Sequence, residues 1–344
     1  MRKIIVLCGA LMLASGAAHA QTNNYTVTSI VTSSKDPRLV NPWGLSHSPV
    51  NHNNNNQWWA ADQGTGLSTL YAANGNITGL AVSVPPASGH GIGSPTGTAN
   101  NPAALIFAFV TLDGTLSIWD ANQVPSTPGQ HCYECHVNFA TVMVNNSAAG
   151  ASYQGVTLAT NVTTGSPTYY VANANGGVEA YDAGSYSPVT LPAGAFTDAR
   201  VPAAYTPAGI QAIGGKIFVT YNANAGGGTG YVDAFDTNGE LLMRLQNGWF
   251  NQPWGVALAP ANFGNFSNMI LIGNTGSGWI GAYNKRTGAF EGFLQSGGAD
   301  LFLPNLWAIE FGDGTAQSGP TNVLYFNSGG PDQTTGVFGS IKAN

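Results

Sequence analysis

The sequence predicts an all-β fold, a six-bladed β-propeller of four-stranded antiparallel blades closed by its N-terminal strand. Three observations carry that reading. Residues 252–294 hold four short apolar runs in a row, VALA, MILIG, WIGAY and EGFL, separated by Asn, Gly, Ser and Lys-Arg turns, which is the pattern of a β-meander. Similar units recur, with starts expected at Pro42, Pro102, Gly155, Pro207, Pro253 and Pro304, mostly near the ~40 to 50 residue period of propeller blades. Several units open on Pro-x-Gly: proline cannot donate to a ladder and so sits where a strand begins, and glycine lets backbones approach closely. A lone meander cannot bury both faces, so each needs neighbours of its own kind.

The elements follow in order. Arg2 and Lys3, an apolar stretch over residues 4–14 and Ala18-His19-Ala20 read as an export signal over residues 1–20, with Cys8 leaving alongside it. Residues 21–344 then form a single propeller domain, expected to be secreted or periplasmic. YTVTSIVT alternates apolar and polar residues with no hairpin partner beside it; it is expected to complete the last blade, because a lone exposed edge would be a liability. The first unit runs from Asn41-Pro42-Trp43-Gly44 through QWWAADQGTGLSTLYAANG to ITGLAVSV. A Gly-rich loop is expected over residues 85–101, followed by ALIFAFVTLDGTLSIWD with a turn at Asp113-Gly114 and NFATVMV as outer strand. The third unit reads YQGVTLATN, TYYVANANGGVEAYD and PVTL; the fourth TPAGIQAIGGKIFVTYN and GYVDAFDTNGELLMRL. The sixth, PNLWAIEFGDG, NVLYFNSGG and TGVFGSIKAN, lacks a clear fourth strand, the gap that the N-terminal strand would fill. The pairs Trp119-Asp120, Tyr181-Asp182 and Phe235-Asp236 are expected to end third strands, the aromatic packing between blades and the aspartate entering a turn.

On DPRLVNPWGLSHSP, ADQGTGLSTLY and VNNSAAGASYQGVTLA the chain resembles NHL-like propellers, and more narrowly a family of secreted bacterial propellers with no assigned activity. The resemblance covers nearly the whole mature chain. It implies the fold and brings no known chemistry with it.

Composition narrows the partners. Charged residues are 8% of the chain, against ~25% in a usual globular protein, while 46 glycines and many Asn, Thr and Ser supply a neutral polar surface. A formal charge of -6 argues against a nucleic-acid groove, which needs clustered Lys and Arg. No later apolar run approaches the ~18 to 20 residues of a membrane span. A monomer with an unspecified protein or small-molecule partner is expected.

One stretch carries chemistry. Within VPSTPGQHCYECHVNF, the residues Cys132, Tyr133, Glu134, Cys135 and His136 spell C-x-x-C-H, the c-type haem attachment motif. Two thiols three residues apart can add to the two vinyl groups on one porphyrin edge, and the histidine after them can turn onto the iron. Cys132, Cys135 and His136 are therefore the candidate haem c ligands, with His136 axial and electron transfer as the role. His47, His52, His90 and Met143 are the candidates for the sixth position, a Met raising the potential and a His lowering it. The competing readings are a Cys132–Cys135 disulfide stapling the loop in a haem-free structural or ligand-binding propeller, a thioredoxin-like pair, and a zinc site with His131, which packs its ligands too tightly for a tetrahedron.

Catalysis has less behind it. Propeller lyases and hydrolases gather carboxylates and histidines at the channel mouth, often on a metal; here Asp62, Asp113, Asp182, Asp233, Glu310 and Asp313 are scattered among the units, and no nucleophile elbow occurs. The run NHNNNNQWW offers a sugar site through Asn amides and Trp faces, against the alternative of a hairpin loop whose tryptophans pack between blades.

Overall fold

The apolar runs become the strands of six sheets set around an axis. The computed structural model describes residues 23–48, 56–103, 106–120, 137–224, 227–246 and 248–344. Blade 1 comprises Pro42–His47, Trp58–Asp62, Leu67–Tyr71 and Ile77–Ser83; blade 2, Pro95–Asn101, Ile106–Thr111, Thr115–Asp120 and Thr141–Asn145. Blade 3 comprises Tyr153–Thr160, Pro167–Asn173 and Gly177–Asp182; blade 4, Tyr205–Ile213, Lys216–Ala223, Gly230–Phe235 and Leu241–Arg244. Blade 5 holds Pro253–Leu258, Met269–Asn274, Ile280–Asn284 and Phe290–Phe293, and blade 6 holds Leu306–Phe311, Val323–Ser328 and Val337–Ala343.

The N-terminal strand Tyr25–Thr32 closes the ring. It pairs antiparallel with Val337–Ala343, from Tyr25 opposite Ala343 to Thr32 opposite Val337, and supplies blade 6 with its outer strand. Tyr25 is fully buried, and its hydroxyl donates to the Phe263 carbonyl at 3.1 Å in blade 5. The two chain ends are thus locked into one sheet, and a neighbouring blade is tied to it.

Aromatic rings fill the wedges between blades. Trp59 of blade 1 stacks on Phe107 of blade 2 at 3.9 Å and meets Trp119 at 4.9 Å, while Trp58 reaches Tyr325 of blade 6 at 4.8 Å. Burying one such ring contributes on the order of 2–3 kcal/mol, so the seams hold much of the fold's stability.

Three boundaries differ from expectation. Blade 2 begins at Pro95, not Pro102: residues 95–101 form its inner strand, and the loop before it is correspondingly shorter. The run after the C-x-x-C-H segment is shared between two sheets. Val137–Phe139 adds to the outer edge of blade 1, parallel to Ile77–Ser83, and Thr141–Asn145 then pairs with Thr115–Asp120 of blade 2. In blade 3 the fourth strand shrinks to a single bridge between Tyr181 and Pro188, because Pro188 and Pro192 have no N–H to extend a ladder.

Candidate functional site

The axis of the ring is closed by its own backbone. All six inner strands carry a register break near their start, at Pro42/Gly44, Pro95/Gly97, Tyr153/Gly155, Pro207/Ile210, Pro253/Val256 and Leu306/Ile309. These β-bulges turn Gly44, Gly97, Gly155, Gly209, Gly255 and Ala308 against the next strand of the ring. A Cβ on Gly44 would lie 2.7 Å from the Thr98 nitrogen, one on Gly97 2.8 Å from the Val156 nitrogen, and one on Gly255 2.5 Å from the Trp307 oxygen. The axial cavity leaves about 20 Å³, room for about one water molecule, and its lining has neither a carboxylate nor an imidazole. At one mouth Trp43 and Trp307 stack at 3.9 Å and Trp254 meets Trp307 edge-on at 5.9 Å. Asn41, Gln252 and Asn305, two residues before these tryptophans, hold φ of 46°, 52° and 48°, a left-handed turn that aims each ring inward.

Most of the scattered carboxylates have structural partners. Asp113 accepts the Ala87 N–H at 2.6 Å and Asp182 accepts the Ser185 N–H at 2.8 Å, each in a turn. Asp233 is buried and clamped by Arg244 at 2.8 and 3.0 Å; burial raises its carboxyl against the pull of that guanidinium. Asp62, fully buried, accepts only the Thr69 hydroxyl at 2.7 Å, and burial pushes its carboxyl well up.

Glu310 and Asp313 instead converge on His47, a juxtaposition that the sequence did not disclose. Inner strands of neighbouring blades run the same way, so the last residues of Pro42–His47 and Leu306–Phe311 emerge side by side on one face. His47 Nε2 lies 3.6 Å from Glu310 and Nδ1 lies 3.8 Å from Asp313, with Trp58 edge-on at 4.6 Å. Asn56 donates to Asp313 at 3.2 Å. Burial, with Asp313 nearby, raises the Glu310 carboxyl to about 6 against the opposing pull of His47. Burial also works to raise Asp313, but hydrogen bonds from Ser318 and Thr315 outweigh it and hold that carboxyl low. The carboxylates face opposite nitrogens of one ring, a geometry for sharing a proton rather than for converging on an ion. Among the described residues, no group of three His, Cys, Asp or Glu side chains is arranged to hold a metal.

Cys132, Cys135 and His136 lie outside the described residues, as do His52, His131 and the export signal at residues 1–20. What is described is the anchor just after the motif, the strand shared by blades 1 and 2. Of the sixth-ligand candidates, His47 is committed to its carboxylates. His90 is exposed in the loop before blade 2, and Met143 is 44% exposed in a bulge of Thr141–Asn145. Trp58 and Trp59 are buried between blades, so their faces are not open to a sugar.

These features define a six-bladed β-propeller with an N-terminal closing strand and a sealed axis, a class that supports binding or interaction at its faces and rim. The chain is similar, at 26% identity over 92% of its length and 84% of the relative's, to uncharacterized protein L690 of Acanthamoeba polyphaga mimivirus. No protein-family model matches it. Among solved structures it resembles a protein of unknown function from Bacteroides thetaiotaomicron (11% identity, TM-score 0.58, 92% of this chain and 76% of that one). It also resembles a glucose dehydrogenase (12% identity, TM-score 0.57, 93% and 100%). At these identities the likeness is one of fold. No helix among the described residues is long and apolar enough to cross a membrane.

Proposed function

We propose that the protein is an exported, NHL-like binding propeller that carries one haem c on the loop between the third and fourth strands of blade 2 and exchanges electrons with a protein or small-molecule partner in the periplasm or outside the cell. The observation that carries the reading is C-x-x-C-H at residues 132–136. Cys132 and Cys135 would hold the porphyrin and His136 the iron, and the bound group would supply one-electron chemistry. The donor set of two thiols and one imidazole suits that group. The strand after the motif is pinned to two blades, so the loop stands on a rigid base. Met143 and His90 are the described side chains left for the second axial position.

The alternative is a haem-free binding propeller in which Cys132 and Cys135 form a disulfide; an exported loop already tied to two sheets suits such a staple. A lyase or hydrolase working in the central channel finds no support, since the axis admits only about one water.

Expression in a host with c-type maturation machinery decides between them. Haem c is expected to remain attached through denaturation and acid–acetone extraction and to be lost in Cys135→Ser. Colourless wild-type protein, with the two cysteines oxidised to each other in its peptides, would overturn the electron-transfer reading and leave the disulfide one.

A further inference from the structure

The rim of blade 5 carries an aromatic ridge that neither the ring closure nor the C-x-x-C-H loop explains. Trp249, in the link from blade 4, stacks on Phe290 at 5.0 Å with the ring planes 22° apart, and 51% of it stays exposed. Phe290 meets Phe293 at 5.0 Å on the outermost strand of the blade. Trp279, 37% exposed in the turn before Ile280–Asn284, lies 5.2 Å from Phe293, and Trp249 lies 5.9 Å from the same ring. Phe302, 63% exposed, sits against Gly278 and extends the row. The half-buried phenylalanines cover the strand edge, which is a structural task. The exposed tryptophan surface is surplus to it, because water would be better faced by a polar side chain.

We propose that this ridge binds a neutral polysaccharide chain. Trp249 is held by Phe290 on one face and open on the other, a flat apolar platform whose ordering has been settled before any ligand arrives. A pyranose ring presents such a platform with its own flat C–H face, and its hydroxyls then need neutral donors and acceptors around the rim. Gln246 and Glu291 are exposed there, and Gln295 and Asp300 are joined at 3.2 Å beside Phe302. The nearest guanidinium, Arg244, is already engaged by Asp198 and Asp233, so no free cation of this ridge selects an anionic ligand. The exposed rings are all aromatic, whereas a protein-binding core mixes aromatic with aliphatic side chains. Two tryptophans flanking Phe293 give the chain two stacking points.

Affinity electrophoresis of the purified protein through gels containing hydroxyethylcellulose, xylan, glucomannan or laminarin tests the proposal, together with sedimentation on insoluble cellulose and chitin. Wild type is expected to be retarded or pulled down by at least one of these. Trp249→Ala/Trp279→Ala is expected to lose at least about tenfold in affinity with an unchanged melting temperature, and Trp249→Phe to keep part of it. Binding that survives the double variant, failure of wild type on the whole panel, or a wild-type dimer that the double variant dissolves would each overturn it; the last would give the ridge to a second copy of the chain.

Discussion

At the scale of single residues, Glu310 is the group whose environment most clearly opposes its charge. Its carboxyl is raised from the ordinary range near 4.5 to about 6, first by burial, with Asp313 adding to it. A carboxyl whose pKa is higher when folded gives stability that is complete below about 4.5 and is lost as pH rises through about 6. Glu310→Gln keeps the shape and removes the charge. The variant should be more stable than wild type by about 1–2 kcal/mol at pH 7.5, and the gain should vanish at pH 4. Thermal melts at the two pH values measure this. A wild type that is the more stable at pH 7.5 would mean that attraction to His47 outweighs the desolvation.

At the scale of the element, the bulged start of each inner strand decides how much of the fold can be read from sequence. Strands such as Met269–Asn274 and Lys216–Ala223 announce themselves because both faces are packed by apolar neighbours. Residues 95–101 read as a loop because the axis leaves room only for small side chains. Thr96 spends its hydroxyl on the Tyr153 carbonyl at 2.8 Å, and Ser46 and Thr98 bond each other at 3.2 Å. Hydrogen bonds within the ring replace the apolar signal there. His47 and Glu310 were both visible as candidates, but ring closure alone brings them together across 263 positions, and no local pattern encodes that. The same closeness makes the ring glycines testable. A Cβ on Gly209 would fall 1.9 Å from the Trp254 carbonyl oxygen, which is backbone and cannot swing aside. Gly209→Ala should therefore cost more than about 3 kcal/mol, or prevent folding. Ala308→Gly, at the sixth position where a methyl is already accommodated, should cost only about 1 kcal/mol. Denaturant unfolding of the two variants compares them, and equal costs would refute the view that strand contact seals the axis.

At the scale of the molecule, stability rests on a ring whose last sheet is built from both ends of the chain. Removing residues 23–32 would strip Val337–Ala343 of its partner and leave a long edge of unpaired N–H and C=O groups beside buried Phe338 and Ile341. It would also empty the place of Tyr25, whose loss alone is comparable to the ~3–5 kcal/mol of a large-to-small aromatic substitution. The truncated protein should melt well below the intact one and self-associate through the exposed edge, as light scattering would record. Because the missing piece is one strand with a defined register, a synthetic peptide of residues 23–34 should add to that edge in trans. It should restore the melting temperature in a concentration-dependent way and suppress the association, while a peptide carrying Tyr25→Ala should do so poorly. A truncated protein as stable and as monodisperse as the intact chain would show that the other five seams hold the ring shut without a strap, and that the N-terminal strand merely decorates blade 6.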